Sequence, residues 1–198
     1  MVQAAEYQAV TGDVFYWQAY EPAVKCDLSC CALRVGGRLV FVDPIPLAEE
    51  ALAELTAEAA PALIVLTNGN HARAAAAYRE RFGVPIASAL EGMEEFVPDQ
   101  VLADGDTLLG ALTVIALPGA GAGEIALHGP GGIVCIGDAL IHIEPLGFAV
   151  LPEKYCGDVK LLRASLRKLL RFDFGVLTFA HGLPIVTDAR GRLESLIA

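Results

Sequence analysis

Residues suited to chemistry fall at three places: Asn68, Asn70, His71 and Arg73 within Thr67-Asn68-Gly69-Asn70-His71-Ala72-Arg73, Asp138 within Gly137-Asp138-Ala139-Leu140, and His181 within Ala180-His181-Gly182. Imidazoles and a carboxylate held together can pass protons near neutral pH, because histidine alone has an unperturbed pKa in that range. A guanidinium beside them stays charged and recognises carboxylates or phosphates through its forked N–H donors. The set therefore offers metal-free acid–base work on an anionic ester or thioester, with His71, Asp138 and His181 as catalytic candidates. It equally offers capture of a small anionic ligand, with Asn68, Asn70 and Arg73 as binding candidates. Serine chemistry finds no support, since no Gly-x-Ser-x-Gly turn occurs. The Gly-rich run Pro118 to Glu124 lacks the Lys-Ser/Thr that a phosphate cradle needs. The five cysteines, Cys26, Cys30, Cys31, Cys135 and Cys156, form no CxxC pair and are odd in number, which fits reduced, packed thiols.

Each candidate sits where a strand would end. Leu63 to Leu66 is an apolar run closed by Thr-Asn-Gly-Asn, and Asn70 is expected to cap a helix from Ala72 to Phe82 that stops at Gly83. At such a helix start the dipole would hold His71 neutral. Ile133 to Ile136 runs into Asp138, and Val176 to Phe179 into His181. Earlier strands are expected at Val14 to Trp17, Ser29 to Val35 and Arg38 to Val42, the last two joined by a Gly36-Gly37 hairpin turn. Cys30 and Cys31, adjacent in a strand, would face opposite sides and could not chelate one ion. Leu47 to Ala59 reads as a helix, Leu90 to Phe96 as a short acidic helix or loop, and Asp158 as the cap of a helix from Val159 to Arg171. Asp43, ahead of Pro44, reads as a turn-former. No repeat or linker divides residues 1–198, so a single domain is expected.

The order of these motifs resembles the metallo-β-lactamase-fold superfamily over nearly the whole chain. The family places Thr-His-x-His-x-Asp-His at the central strand end, followed by a helix and a strand like Gly83-Val84-Pro85-Ile86. Thr67 and Gly69 match, while Asn68 and Asn70 replace two histidine ligands, His71 falls on a spacer, Ala72 replaces the aspartate and Arg73 the third histidine. Pro118-Gly119-Ala120 resembles the family's Pro-Gly-His segment with the ligand missing, whereas Asp138, His181 and Val42-Asp43 match intact segments. The resemblance implies an α+β fold of the αββα sandwich type, two mixed β-sheets face to face with helices outside. It implies a metallo-β-lactamase-superfamily, hydrolase-like protein with a degenerate metal site. Two retained ligand positions, Asp138 and His181, fall short of the three or four that a zinc centre takes. No cofactor and no standard dinuclear zinc catalysis are therefore expected, and Asn68, Asn70, Ala72, Arg73, Ala120, Asp138 and His181 become vestigial metal positions. An Arg73–Asp138 ion pair, assisted by Asn68 and His181, is expected to fill the old metal cavity. Either altered hydrolysis survives, or the chain is a non-catalytic pseudoenzyme that binds a small anionic ligand or a protein partner in the cleft.

Composition bounds the partners. Of 198 residues 55% are hydrophobic and 19% charged, with no run near the roughly eighteen apolar residues of a membrane helix. A net charge of −10 argues against nucleic acid. The basic residues between Arg163 and Arg171 read as a solvated helix face. Met1 to Val10 lacks the basic start and apolar core of a secretion signal, so the cytoplasm is the expected location. The apolar excess makes a homodimer the expected oligomer.

Overall fold

The computed structural model describes residues 2–89 and 97–198, so the expected segment Leu90 to Phe96 lies outside the described residues. The chain opens with four antiparallel strands, β1 (Gln8–Thr11), β2 (Val14–Glu21), β3 (Cys26–Val35) and β4 (Arg38–Val42). Gly36 and Gly37 join β3 to β4 with φ of 56° and 75°, the left-handed pair that a two-residue hairpin matching strand twist requires. Helix α1 (Glu49–Glu58) leads into β5 (Ala60–Val65), and α2 (Ala75–Phe82) into β6 (Ile86–Ser88) and β7 (Gln100–Val101). Strands β4 to β7 pair in parallel and complete a seven-stranded mixed sheet in simple chain order.

The second sheet has five strands: β8 (Thr107–Leu108), β9 (Leu112–Ala116), β10 (Ile125–Gly129), β11 (Ile133–Ile136) and β14 (Val176–Phe179), in the order β14-β11-β10-β9-β8. Its one parallel pairing, β11 with β14, is made by a crossover through α3 (Val159–Leu166). A hairpin not anticipated in the sequence, β12 (Leu140–Ile143) with β13 (Gly147–Val150), stands apart from both sheets, and α4 (Ala189–Leu196) closes the fold. Asp158 caps α3 as expected, accepting from the N–H groups of Lys160 and Leu161. The helix ends at Leu166 rather than Arg171, and a separate 3-10 turn, Leu169–Arg171, follows.

Three apolar clusters separate four layers. Phe15, Trp17, Cys30, Ala32, Phe41 and Ile64 pack with Leu52 and Leu55 of α1 and Tyr78 of α2. Cys31, Leu33, Val40, Val42 and Val65 meet Leu112, Val114, Leu127 and Cys135 between the sheets. Val134, Ile136, Leu177 and Phe179 meet Leu162 and Leu166 of α3 and Leu193 of α4. Strand alternation thus sends Cys30 to one side and Cys31 to the other, as the period of two demands. The result is the αββα sandwich, with the central strands of both sheets buried on both faces.

Candidate functional site

The parallel strands β4, β5, β11 and β14 aim their carboxyl ends at one edge of the sandwich, where polar residues follow each strand end closely: Asp43, Thr67-Asn68, Asp138 and His181. Apolar strand interiors force these side chains to the strand ends, and the ends of parallel strands are where open α/β sheets keep ligands.

The central loop departs from its expected form. Asn68, not Asn70, is the cap: its Oδ1 accepts the Asn70 N–H at 2.9 Å and starts a 3-10 turn, Gly69–His71. Arg73 then takes a left-handed φ of 37°, which interrupts helical winding and delays α2 to Ala75. Asn70 is left exposed at the mouth of the cavity.

The tighter 3-10 turn rotates His71 inward, where it is only 2% exposed. Its Nδ1 lies 2.9 Å from Asp43 Oδ2 and its Nε2 3.2 Å from Asp138 Oδ1. Asp43 also accepts from the Thr67 N–H and hydroxyl. His181 reaches the same Asp138 Oδ1 with Nε2 at 3.2 Å, while its Nδ1 lies 3.0 Å from the Asp27 carbonyl and 3.4 Å from Cys26 Sγ. His71, Asp138 and His181 are therefore brought together as the sequence suggested.

Two further expectations are overturned. Arg73 does not pair with Asp138; Nη1 donates to the carbonyls of Ser29 at 2.7 Å and Asp43 at 3.1 Å, and Nη2 to that of Ala180 at 3.2 Å. The left-handed turn at Arg73 carries its side chain to the Ser29 carbonyl of β3 instead, and the Asp138 carboxylate has the two imidazoles as its neighbours. Nor is His71 held neutral by a helix start. Burial works against its charge, but Asp43 and Asp138 outweigh burial and raise its pKa. The same contacts hold Asp43 below the carboxylate range and Asp138 well below it, despite burial. His181, opposed by burial but hydrogen-bonded to Asp138, is raised to about 9.

Glu124 was missed in the sequence. It is 3% exposed, accepts from Asn68 Nδ2 at 2.8 Å and the Ala139 N–H at 3.0 Å, and is pushed up to about 8 by burial and then by Asp138. The available signal was an acidic residue placed directly before the apolar strand Ile125 to Leu127. Asn68 Nδ2 also reaches Asp138 Oδ2 at 3.2 Å, so the expected Asn68 contact to Asp138 is present. Gly137 makes this crowding sterically feasible, since a Cβ there would lie 2.4 Å from Thr67 Oγ1 and 2.7 Å from Glu124 Oε1. Gly137→Ala should lower stability by roughly 1–3 kcal/mol, the range for overpacking a filled interior. Denaturant melts of the two proteins measure this directly.

Above this floor opens a cavity of about 630 Å³. Its walls are Val24, Leu28, Leu151 and Tyr155, with Ile141, Ile143 and Leu146 from the β12–β13 hairpin, while Cys26, Arg73 and Glu21 add polar groups. The size is that of a small-molecule site.

With this geometry in place, comparison with known proteins decides the lineage. The family model described as metallo-beta-lactamase superfamily matches residues 9–198. The chain belongs to the metallo-β-lactamase superfamily. Among solved structures, the DIM-1 metallo-beta-lactamase is 14% identical, with a TM-score of 0.75 and 98% of each chain covered. The metallo-beta-lactamase from Pontibacter korlensis is 16% identical at a TM-score of 0.73, covering 97% of this chain and 98% of its own. The BLEG-1 B3 metallo-beta-lactamase is 21% identical at 0.66, covering 85% and 92%. These likenesses establish the shared sandwich. No curated protein matches the sequence.

The superfamily's pair of zinc ions does not fit the residues at this site. Ala72 and Ala120 offer no donor atom. The Asn68 amide is engaged at both ends, by Glu124 and Asp138 at Nδ2 and by the Asn70 N–H at Oδ1. Arg73 closes the loop with a guanidinium, and a cation cannot ligate a cation.

Proposed function

We propose that this superfamily member takes up a small anionic molecule with an apolar body, and does so without a dinuclear zinc centre. The observation that carries this reading is the contrast inside the cavity: aliphatic walls stand over a floor where, among the described residues, the Arg73 guanidinium bonds only to neutral carbonyls. Its positive charge is therefore cancelled by no direct carboxylate contact, and a ligand carboxylate or phosphate can answer it. Glu21, which also lines the cavity, accepts from the N–H groups of Val2 and Ala23. Three apolar side chains of the lining, Val24, Leu146 and Tyr155, are more than half exposed, a cost that an apolar ligand body would relieve.

Cys26 supplies the assay, because its thiol lines this cavity. Octanoate should slow iodoacetamide labelling of Cys26, read by peptide mass spectrometry, and Leu146→Asp should weaken that protection several-fold. Labelling at an unchanged rate under saturating octanoate and comparable aryl carboxylates would sink the reading. Hydrolysis of an ester or thioester of such an acid is the alternative. Turnover of p-nitrophenyl octanoate that disappears in Asp138→Asn would replace capture by catalysis.

A further inference from the structure

Cys26 opens β3 opposite Glu21 of β2, and the start of that strand brings its thiol to the segment that follows β14. Its Sγ lies 3.4 Å from His181 Nδ1, and the far ring nitrogen, Nε2, lies 3.2 Å from Asp138 Oδ1. A thiol, an imidazole and a carboxylate in series are the parts of a nucleophile, its base and the group that orients the base. Asp138 accepts at Nε2 and so leaves Nδ1 to exchange a proton with the sulfur. The Asp27 carbonyl, 3.0 Å from Nδ1, accepts from that N–H once the proton is on the ring. The thiol is half-buried and lines two cavities. One is the aliphatic cavity of about 630 Å³, and the other a smaller one of about 270 Å³ whose polar groups include Gln18, Lys25 and His142. We propose that Cys26 is the nucleophile of a covalent acyl-transfer site acting on thioesters of a medium-chain acid, with His181 as its base and Asp138 orienting the base.

The placement of the thiol divides such a substrate between two spaces. The acyl chain lies among Leu28, Ile141 and Leu151, the departing thiol lies in the smaller polar space, and the carbonyl carbon meets Cys26 where the two adjoin. The sulfur attacks that carbon while its proton passes to His181 Nδ1. The new S–C bond creates a tetrahedral oxyanion, for which the Arg73 guanidinium in the same cavity is the available charge. The C–S bond to the leaving thiol then breaks, and that thiol's sulfur takes the Nδ1 proton. Next a water adds its oxygen to the acyl carbon and gives one proton to Nδ1. The bond from carbon to Cys26 breaks, the sulfur recovers the Nδ1 proton, and the free acid departs. That acid is of the kind the aliphatic cavity is read as holding, so the proposal rests on that reading for its substrate class and makes the hydrolytic alternative specific.

The test mixes the full chain with S-octanoyl-N-acetylcysteamine, follows release of the thiol, and reads acid-quenched samples by peptide mass spectrometry. One octanoyl group should appear on the Cys26 peptide and none on Cys156, which lines neither cavity. Cys26→Ala, with native circular dichroism, should lose both the adduct and the turnover. His181→Gln should lower kcat ~100–10,000-fold. Asp138→Asn, a positioning change, should lower kcat with little change in KM. Turnover that survives in Cys26→Ala, quenched samples without the adduct, or no release of thiol by the wild type would each overturn the proposal. Octanoate protection of Cys26 from iodoacetamide separates the two readings. Protection with neither adduct nor turnover defeats the nucleophile and leaves capture standing, whereas adduct and turnover without protection defeat capture alone.

Discussion

His71→Ala should lower the stability of the chelator-treated protein by about 3–5 kcal/mol near neutral pH, the usual cost of orphaning a buried charge. Asp43 is 2% exposed, and the substitution leaves its carboxylate with only the Thr67 N–H and hydroxyl as donors. Asp138 keeps His181 and solvent contact, so most of the loss arises at Asp43. The pH dependence carries a second signature. A histidine whose folded pKa is raised contributes stability that is complete below its unfolded value near 6.5 and fades as pH climbs through the raised value. Asp43 and Asp138 are depressed, so their contributions hold above about 3.9 and fade as pH falls through the lowered values. Denaturant melts from pH 5 to 9 should therefore show a declining alkaline limb in the wild type that is shallower in His71→Ala. An unchanged limb would remove His71 as its source.

The second large effect belongs to Arg73→Met, which keeps much of the stem and deletes the fork. Three carbonyls lose a charged donor at once, those of Ser29 in β3, Asp43 after β4 and Ala180 after β14. Hydrogen bonds to a charged group contribute roughly 1.5–3 kcal/mol each and are not additive when they share one donor. A total loss of about 3–5 kcal/mol is expected, because Ser29 and Ala180 are buried and water cannot fully replace the donor. Arg73→Lys should recover only part of it, since an ammonium cannot span three acceptors in the guanidinium plane. Equal stabilities for Met, Lys and Arg would show that the bracket contributes nothing. Hydrogen exchange should report the loss first at the ends of β3 and β14, where the two sheets are tied.

The individual elements were legible in the sequence from local chemistry, through the apolar run Ser29 to Val35, the Gly36-Gly37 turn and the apolar stripe after Asp158, whereas the αββα layering came from the resemblance to the superfamily. That His71, Asp138 and His181 could meet was legible only through the resemblance to the superfamily, which marks Asp138 and His181 as ligand positions. What escaped was the direction of side chains around Asn68 to Arg73. Helix propensity predicts winding from Ala72, but the Asn68 cap and the left-handed turn at Arg73 are settled by what the side chains find across the chain, carbonyls for the guanidinium and Asp43 for the imidazole. Glu124 escaped for a related reason: a carboxyl becomes buried, and its pKa is pushed up, only when strands distant in sequence close over it. Asp43 read as a turn residue, and its φ of 50° agrees, but its burial beneath His71 is a tertiary fact.

The β12–β13 hairpin belongs to neither sheet and joins the rest of the fold near Gly182 and His181, through the His142 N–H and its bridge to Gly182. Its cavity-facing residues Ile143 and Leu146 are incompletely buried, so exchanging them disturbs little close packing. Descendants of this chain could thus acquire a differently shaped cavity by rewriting one appendage while the polar floor beneath stayed untouched, so that the wall is free to vary faster than the base it covers.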